Sequence, residues 1–510
     1  MRRAADVAAI VGRPVVSGMR RLTHVAAVAT ATGDVREREA EAFARANGVG
    51  LVRFAPGPVA LSVLGRAGRT LCYRLINFDG APPPPGAPDR LAELRAELLE
   101  LAGPGELRME ADFDPADPAL AWLDPHVRRL VPAEHALRSA CDILRHRART
   151  ARRSVGCGVT GWKRTTVAGF LDGPNGPPLF EASPEAATRA AQACSGRVVV
   201  WASRGAGPAV AAAEAAGVPI ARMEDGFLRS VGLGAAFVEP LSLVLDDSGV
   251  YYDPSAPSDL ERILSEGAIP PALAARAAAL RERLIAEAVT KYNVGESVAS
   301  IVPAGRFGVL VPGQVEDDAS ILRGAGAVRT NLGLLQAARA RRGSDAFIIY
   351  KPHPDVVAGY RAGAVPEREL RRLADAVVTD GAIAALYPQC RAVETMTSLS
   401  GFEALMRGLK VTVHGQPFYA GWGLTEDLAA QPRHGRRRSL DELVAATLIL
   451  YPLYRDPVSG LPCGPETALD RIAEARARAA TAKGRALARV RRVYALARHR
   501  LLGPFDRRAR

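Results

Sequence analysis

The sequence contains little cysteine, and its six cysteines are scattered along the chain without any CxxC pair. Closely spaced cysteine pairs are typical of zinc sites and redox motifs, and many cysteines in a short chain are typical of secreted disulfide scaffolds. We therefore expect reduced thiols, no zinc site and a cytoplasmic protein.

The sequence also lacks a long hydrophobic run. Hydrophobic residues make up 48% of the chain, but no stretch reaches the roughly 18 to 20 apolar residues that a spanning helix needs. The basic N-terminus carries only the short segment AADVAAIVG before Arg13 and Pro14, so we expect no signal peptide. GxxxxGK[ST], G-x-S-x-G and H-E-x-x-H motifs are absent too, which excludes the common enzyme classes that depend on them.

Positive charge is abundant, with a net charge of +13, and it is concentrated at the C-terminal end. Residues 466–510 hold thirteen Lys or Arg against four acidic residues. Such a run is usually a solvated helix, but it is also typical of surfaces that contact anionic lipid or nucleic acid. Leu487, Val490 and Tyr494 lie among the arginines, and no nucleic-acid-binding motif accompanies them. We predict contact with a membrane surface and no nucleic acid.

The 510 residues predict two or three domains. Residues 1–150 are interpreted as an N-terminal α/β segment of unknown role. Helix and strand patterns then alternate regularly through residues 151–300 and again through 301–455, which indicates parallel, doubly wound sheets. Residues 456–510 form the basic helical tail. The predicted fold class is therefore α/β, with two Rossmann-like halves facing a cleft.

Local signals support this alternation. The strand-like segments RVVVWAS, VPIARMED, FGVLVPG and AFIIYKPHPD are separated by segments with helical periodicity. Ser183 before Pro184 predicts a helix start, and Ser439 with Glu442 predicts a capping box at the start of LDELVAATLILY.

Glu224 and Asp225 end one of these strands, in the segment RMEDGFLRS. In open parallel sheets the ligand lies beyond the carboxyl ends of the strands. Two neighbouring carboxylates in a cleft can divide catalytic roles, because residues along a strand alternate between its faces. Arg222 or Arg229 could hold one of them. A simple salt-bridged turn accounts for the same residues equally well at this point.

Lys351 and His353, in YKPHPDV, alternate on an extended segment directly after a buried strand. Both side chains then point the same way, and together they form an anion site suited to a nucleotide phosphate. The alternative is a proline-rich loop with incidental charge.

Ser398 and Ser400 stand at a predicted helix N-terminus, in TMTSLSGFEALMRG, where free N–H groups and the helix dipole attract phosphate. Glu403 on the same helix suits ribose hydroxyls, although plain N-capping needs only one of these hydroxyl side chains. Gln314, in GQVEDDAS, follows another strand, and the acidic cluster there lacks the paired histidines of many metal sites, so we predict no metal. The aromatic loop GQPFYAGWG suits a base or sugar face, or it packs on itself.

Seven ordered segments carry a family resemblance that covers about residues 155–450. They are GVTGWKRTTVAGFL, MEDGFLRSVGLG, PLSLVLDDSGVYYDPSAPSDLE, GQVEDDAS, YKPHPDV, SLSGFEALMRG and GQPFYAGWGL. Together they resemble the capsule polysaccharide biosynthesis family of the KpsC type, the retaining β-Kdo transferases.

The resemblance implies a GT-B-like glycosyltransferase with CMP-Kdo as donor and no further cofactor. Its product would be the β-Kdo linker that joins capsular polysaccharide to a phosphatidylglycerol-type lipid. The implied partners are a glycolipid acceptor, the cytoplasmic face of the inner membrane and the capsule assembly and export machinery. Full members of the family carry two transferase modules, whereas this chain shows one set of motifs.

By resemblance, Asp225 is the nucleophile of a double displacement, and Glu224 assists as an acid, base or positioning group. Arg229 is expected to pair with the sugar carboxylate. The residues expected to bind the CMP moiety or its neighbourhood are Gln314, Lys351, His353, Ser398, Ser400 and Glu403.

Two other functions stay open at this point. A CDP-glycerol-type glycerophosphotransferase also uses GT-B halves with His-Pro and Ser-rich motifs, but EDGFLRS and DDSGVYYDPS count against it. A non-catalytic capsule assembly or export scaffold would not need the acid pair, the Lys–His pair and the Ser–Glu helix together.

Overall fold

A computed structural model describes residues 27–31, 37–46, 50–64, 70–76, 87–110, 112–203, 206–228, 239–289, 299–431 and 436–479. The chain forms two compact units. The first comprises 1–152, 172–176 and 455–464, and the second comprises 153–171, 177–454 and 465–510. All six cysteines are free thiols, as predicted.

The first unit combines a four-stranded sheet, of order β1-β2-β4-β6, with a two-stranded ribbon of β3 and β5. β1 and β2 are parallel, whereas the other pairings are antiparallel. Its elements are β1 (Ala27–Ala31), α1 (Glu37–Ala46), β2 (Gly50–Pro56), β3 (Val59–Leu61), β4 (Cys72–Ile76), α2 (Pro88–Leu101), β5 (Leu107–Met109), β6 (Leu120–Trp122) and α3 (Ala133–Arg149).

The core of this unit forms where the apolar stripes of α2 and α3 meet. Leu91, Leu94 and Leu98 recur every three or four residues on α2, and Leu137 and Leu144 lie seven residues, or two turns, apart on one face of α3. All five belong to one buried cluster with side chains from the sheet.

The first half of the second unit is built around a sheet with the strand order β18-β11-β10-β9-β7-β8 within that unit. Its elements are β7 (Ser154–Cys157), α4 (Gly161–Leu171), β8 (Leu179–Glu181), α5 (Pro184–Ala193), β9 (Arg197–Trp201), α6 (Gly207–Ala215), β10 (Ile220–Asp225), β11 (Ser242–Asp246), α7 (Asp259–Ser265) and α8 (Pro271–Ala286). Ser183 caps α5 through the Ala186 amide, as predicted.

The prediction of a wholly parallel sheet in this half was wrong at one strand. β7, β8, β9 and β10 are parallel neighbours, but β11 is antiparallel to both β10 and β18. A buried strand such as SLVLD is apolar on both faces whatever its direction, so its pattern does not encode the pairing.

The second half contains a six-stranded sheet of order β14-β13-β12-β15-β16-β17, and every pairing in it is parallel. This confirms the doubly wound prediction for this segment. Its elements are β12 (Phe307–Pro312), α9 (Ala319–Gly324), α10 (Asn331–Arg342), β13 (Ala346–Lys351), α11 (Pro354–Val357), α12 (Glu367–Leu373), β14 (Ala376–Val377), β15 (Ala392–Thr395), α13 (Leu399–Met406), β16 (Lys410–Val413) and β17 (Glu426–Asp427).

The chain then returns to the first half. α14 (Leu440–Val444) begins with the predicted capping box of Ser439 and Glu442 and continues as a π-helical segment (Ala445–Leu450). β18 (Pro452–Arg455) pairs with β11, and β19 (Pro462–Cys463) belongs to the first unit.

The helix α15 (Pro465–Ala479) packs on α8 through ion pairs of Arg276 with Glu466 and Arg283 with Asp470. The rest of the predicted basic tail, 480–510, lies outside the described residues. No helix within the described ranges is long and apolar enough to cross a membrane.

Candidate active site

Glu224 is held at the end of β10 by donors from the neighbouring strand. The Trp201 indole Nε1 donates to Glu224 Oε1 at 2.8 Å, and the Ser203 amide donates to Oε2 at 3.2 Å. The Asp225 amide also reaches Oε1, at 3.2 Å. Since only 9% of Glu224 is exposed, these donors replace most of the water that a carboxylate otherwise binds. The orientation of this carboxylate is therefore set by the protein.

Asp225 ends β10 in register with Leu243 of β11, and the chain turns directly after it. The Gly226 amide donates to the Ser242 carbonyl at 3.1 Å. A Cβ on Gly226 would lie 2.2 Å from Ser242 Oγ, so only glycine fits this close approach. The Ser242 hydroxyl donates to the Leu228 carbonyl and closes the turn. The acidic motif thus sits on a tightly packed turn.

Two tyrosines approach the acid pair from the loop after β11. Burial raises the pKa of Tyr251 well above its usual range, and the nearby charges of Glu224 and Asp225 raise it further. Burial raises the pKa of Tyr252 as well, with added contributions from Glu224 and from Asp318 of the second half. Both phenols therefore keep their protons at neutral pH, and neither adds a negative charge near the acid pair.

An aromatic cluster joins the acidic turn to the glycine-rich loop of the second half. The ring centroid of Phe227 lies 4.9 Å from that of Tyr251 and 4.9 Å from that of Phe418. Tyr251 and Phe418 are 5.9 Å apart in an edge-on arrangement, which aromatic pairs favour. Phe418 belongs to GQPFYAGWG, so this ring of the loop packs within the protein. The two halves meet at the acidic motif.

A cavity beside this cluster is lined by apolar side chains of both halves and by the carboxylate residue Glu403. The lining residues are Phe227, Leu228, Leu284, Val289, Leu399, Phe402, Glu403, Met406 and Leu448. Glu403 is buried, and its Oε2 accepts a hydrogen bond from the Tyr387 hydroxyl at 3.0 Å. Burial, with the charge of Glu403 adding to it, raises the pKa of Tyr387. Tyr387 therefore orients Glu403 within α13.

Lys351 ends β13 as a buried cation. Its Nζ donates to the Thr379 carbonyl at 2.7 Å and lies 3.4 Å from that of Asp380. Burial lowers the pKa of this ammonium group. A partly desolvated cation attracts an incoming anion more strongly than a hydrated one does.

His353 does not continue the extended segment for long, because Pro354 begins α11 immediately after it. The ring Nδ1 accepts the Asp355 amide at 3.2 Å, and His353 is thereby the N-cap of that helix. A neutral ring in this position carries its proton on Nε2, which leaves Nε2–H as a donor. The prediction of an extended stretch thus holds only up to His353.

Gln314 organises the turn that precedes α13. Its Nε2 donates to Thr397 Oγ1 at 3.0 Å, while its Oε1 accepts the Thr397 amide at 3.0 Å and the Thr395 hydroxyl at 3.2 Å. Ser398 is the N-cap of α13, and its Oγ accepts the Ser400 amide at 3.1 Å. These contacts fix the helix N-terminus where a phosphate site was predicted.

Within the second unit, the structure places most of the predicted site residues in four local groups, whose members are chain neighbours or are joined by hydrogen bonds. The groups are Glu224 with Asp225, Gln314 with Ser398 and Ser400, Tyr387 with Glu403, and Lys351 with the loop 379–380. The cavity brings Glu403 beside the residues that follow the acid pair. Arg229 lies outside the described residues.

Sequence reasoning missed three residues that shape this site: Trp201, Tyr251 and Asp246. Asp246 is fully buried and accepts the Ser248 amide, the Gly249 amide and the Tyr451 hydroxyl, at 2.7 to 3.0 Å. Burial raises its pKa. An aspartate followed by Ser-Gly after a strand is a usable signal for such a turn. Trp201 carried no comparable local signal.

Two α/β sheets, joined at polar strand ends, give the second unit the GT-B-like architecture of a class of glycosyltransferases. Sequence comparison agrees. The sequence model of the capsule polysaccharide biosynthesis protein family matches residues 197–297 and 276–454, which together span half of the chain. The chain belongs to this family.

Its relatives include the capsule polysaccharide modification protein LipA of Neisseria meningitidis serogroup A, 43% identical over 311 residues. That match covers 61% of this chain and 44% of LipA. The lipopolysaccharide-processing protein LpsZ of Rhizobium meliloti is 46% identical over 241 residues, which is 46% of this chain and 54% of LpsZ. The chain thus spans about half the length of these curated relatives.

Two solved structures from Thermosulfurimonas dismutans KpsC are similar to this chain. The β-Kdo 2,7 transferase is 32% identical with a TM-score of 0.51, and the match covers 64% of this chain and 100% of that one. The β-Kdo 2,4 transferase is 30% identical with a TM-score of 0.55, and covers 63% and 98%. Both structures are of KpsC, the type of protein that the sequence motifs of this chain resemble.

Proposed function

We propose that this protein transfers Kdo from CMP-Kdo, with retention, to a glycolipid acceptor and so builds the β-Kdo linker of a lipid-anchored capsular polysaccharide. The observation that supports this most directly is the acid pair, Glu224 and Asp225, fixed at a strand end where the two halves meet. The likeness to two solved β-Kdo transferases over almost their whole lengths supports the same function.

Asp225 is the proposed nucleophile. An Asp225 carboxylate oxygen forms a bond to the anomeric carbon while the bond from that carbon to the phosphate oxygen breaks, and CMP leaves with the electron pair. An acceptor hydroxyl oxygen then displaces Asp225, and two inversions give net retention. Glu224 accepts the acceptor proton or orients the acceptor. This division suits the geometry, since both oxygens of Glu224 already accept hydrogen bonds from the protein.

The second half is proposed to stabilise the leaving CMP. Lys351 and His353 carry the donors for its phosphate, and a preset cation lowers the barrier because it needs no reorganisation when charge develops. Ser398 and Ser400 add hydroxyl and helix N-terminal donors, with Gln314 fixing their turn. Glu403 accepts from the ribose hydroxyls, and Arg229 pairs with the sugar carboxylate. No metal is required in this scheme, because cationic side chains neutralise the phosphate.

The proposed place of work is the cytoplasmic face of the inner membrane, beside the capsule assembly and export machinery. The basic segment 466–510 supplies the contact with anionic lipid. Flotation with anionic liposomes, with and without residues 480–510, tests this contact while α15 stays packed on α8 in both forms; equal binding of both forms contradicts it.

One assay tests the transferase. The purified chain is given CMP-Kdo and a synthetic Kdo-bearing glycolipid, and free CMP and product are measured. We expect CMP release, a product with β-linked Kdo by NMR, and a loss of about a thousandfold or more in Asp225→Ala. CDP-glycerol serves as the competing donor. Absence of CMP release, or wild-type activity in Asp225→Ala, contradicts the proposal, and turnover of CDP-glycerol instead supports a glycerophosphotransferase.

A further inference from the structure

Trp201 connects Glu224 to a cation on another element. Lys163 is the third residue of α4, and its Nζ lies 3.4 Å from the centroid of the Trp201 ring. The same Nζ is 5.3 Å from the Trp162 ring. The face of Trp201 thus carries the cation while its Nε1–H points at Glu224 Oε1, 2.8 Å away.

A cation over an indole face withdraws electron density from the ring. The Nε1–H of Trp201 then becomes a stronger hydrogen-bond donor to Glu224. Linked polar interactions of this kind strengthen one another where little water screens them. Lys163 therefore favours the charged form of Glu224 in two ways: through the strengthened Trp201 hydrogen bond and through its own positive charge.

Other groups that face Glu224 act differently. Asp225, the next residue on β10, is a like charge that disfavours a second carboxylate beside it. The charge of Glu224 adds to burial in raising the pKa of Tyr251 and of Tyr252, and both phenols stay neutral. Lys163 contributes a positive charge on the Trp201 ring, which offsets the repulsion that Asp225 exerts on the Glu224 carboxylate.

We propose that Lys163 is a positioning residue that acts through Trp201 to keep Glu224 ionised and correctly oriented beside Asp225. The proposal rests on the proposed function in one respect, which is that Glu224 takes part in the transfer reaction. Its consequence is a division of labour: Glu224, held at both oxygens, serves as base, and Asp225 attacks the sugar.

The first test does not require activity. The chain has four tryptophans, Trp122, Trp162, Trp201 and Trp422, so ¹⁵N-tryptophan labelling of the full-length protein gives four indole signals. Trp201→Phe assigns the Trp201 signal. We expect this signal to titrate with Glu224, to stop titrating in Glu224→Gln, and to shift its midpoint to higher pH in Lys163→Gln. Lys163→Arg retains the wild-type midpoint. An unchanged midpoint in Lys163→Gln overturns the proposal.

The second test uses CMP release. In Lys163→Gln, we expect kcat to fall about tenfold with little change in KM for the donor, and the acidic limb of the pH profile to move to higher pH. Arg164→Gln, which removes the same charge one residue further along α4, is the matched control and should match wild type. A fall in Lys163→Gln without a shifted limb, or an equal fall in Arg164→Gln, contradicts the positioning role.

The two tests separate this inference from the function it rests on. If the wild-type chain does not use CMP-Kdo, the function fails, and the indole titration still decides the role of Lys163. If transfer occurs and the indole midpoint is unchanged, only the inference fails. Should Lys163→Gln not fold, Lys163→Met, which removes the charge but keeps an unbranched apolar side chain beside the Trp201 ring, is measured by the same indole titration.

Discussion

The two halves of the second unit fix charge at their strand ends in opposite ways. At the end of β10, the carboxylate of Glu224 accepts hydrogen bonds from the indole of Trp201, the last residue of β9, and from the amide of Ser203 just after it. At the end of β13, the ammonium group of Lys351 donates to the backbone carbonyls of Thr379 and Asp380. In each half, protein dipoles take the place of water around the charge.

The two charged groups differ in how firmly the protein fixes their orientation. The carboxylate is oriented by rigid donors, one of them an aromatic ring, so its geometry is set before any substrate arrives. The ammonium group is held by two carbonyls, and in the proposed function these carbonyls and the donor phosphate share its three N–H donors. We therefore expect substitutions in the first half to act on the chemical step, and substitutions in the second half to act on donor binding as well as on the departure of CMP.

The largest effect that tests this contrast is expected from Lys351→Met. Loss of a preset cation beside a leaving phosphate should lower kcat/KM for CMP-Kdo by about a hundredfold. Burial lowers the pKa of Lys351, and a lysine loses its charge as the pH rises. Wild-type donor binding should therefore weaken at a lower pH than an ordinary lysine allows, and in Lys351→Arg this weakening should disappear.

Initial rates across the alkaline range measure the Lys351 effect. Lys410→Met is the matched control, because Lys410 is an exposed lysine at the start of β16 in the same half. An unaltered donor KM in Lys351→Met would remove Lys351 from the phosphate site.

Two glycines sharpen the comparison at the level of packing. A Cβ at Gly226 would lie 2.2 Å from Ser242 Oγ and 3.0 Å from the Ser242 carbonyl carbon, whereas a Cβ at Gly401 would lie 2.2 Å from the Tyr419 hydroxyl. Both alanine variants should lose about 1 to 3 kcal/mol of stability. The loss should be greater for Gly226→Ala, because part of what it meets is the backbone of a paired strand.

Calorimetric melting temperatures measure these losses. Gly207→Ala is the control, since a Cβ there meets nothing within 4 Å at the start of α6. It should melt near the wild-type temperature. If Gly226→Ala melts at the same temperature as Gly207→Ala, the tight turn after Asp225 does not require glycine at position 226.

Most regular elements of the second unit could be predicted from the sequence, because buried strands and capped helices carry local signals. Ser183 and the pair Ser439–Glu442 marked helix starts that the structure contains. The direction of β11 could not be predicted, because its apolar residues look alike in either direction. The π-helical segment 445–450 was likewise hidden within a helical pattern.

The candidate site was predictable as a set of strand ends, but not as a set of contacts. The hydrogen bond from Trp201 to Glu224 depends on the register between β9 and β10, which links residues more than twenty positions apart. The contact of Phe227 with Phe418 depends on how two sheets meet. Such information lies in packing across the whole unit, and a single sequence does not display it.

The smallest expected effect separates capping from binding at Ser398. Ser398 Oγ accepts the Ser400 amide at 3.1 Å, and Ser439 Oγ accepts the Glu442 amide at 3.2 Å. Replacing either serine by alanine removes one N-cap, so each variant should lose about 1 kcal/mol of stability. Only Ser398→Ala should also weaken CMP binding, by roughly fivefold, because a neutral hydrogen bond contributes about 1 kcal/mol. Calorimetric titration with CMP provides the measurement. If both variants bind CMP equally well, Ser398 is a cap alone, and the phosphate donors of the second half reduce to Lys351, His353 and the remaining groups at the N-terminus of α13.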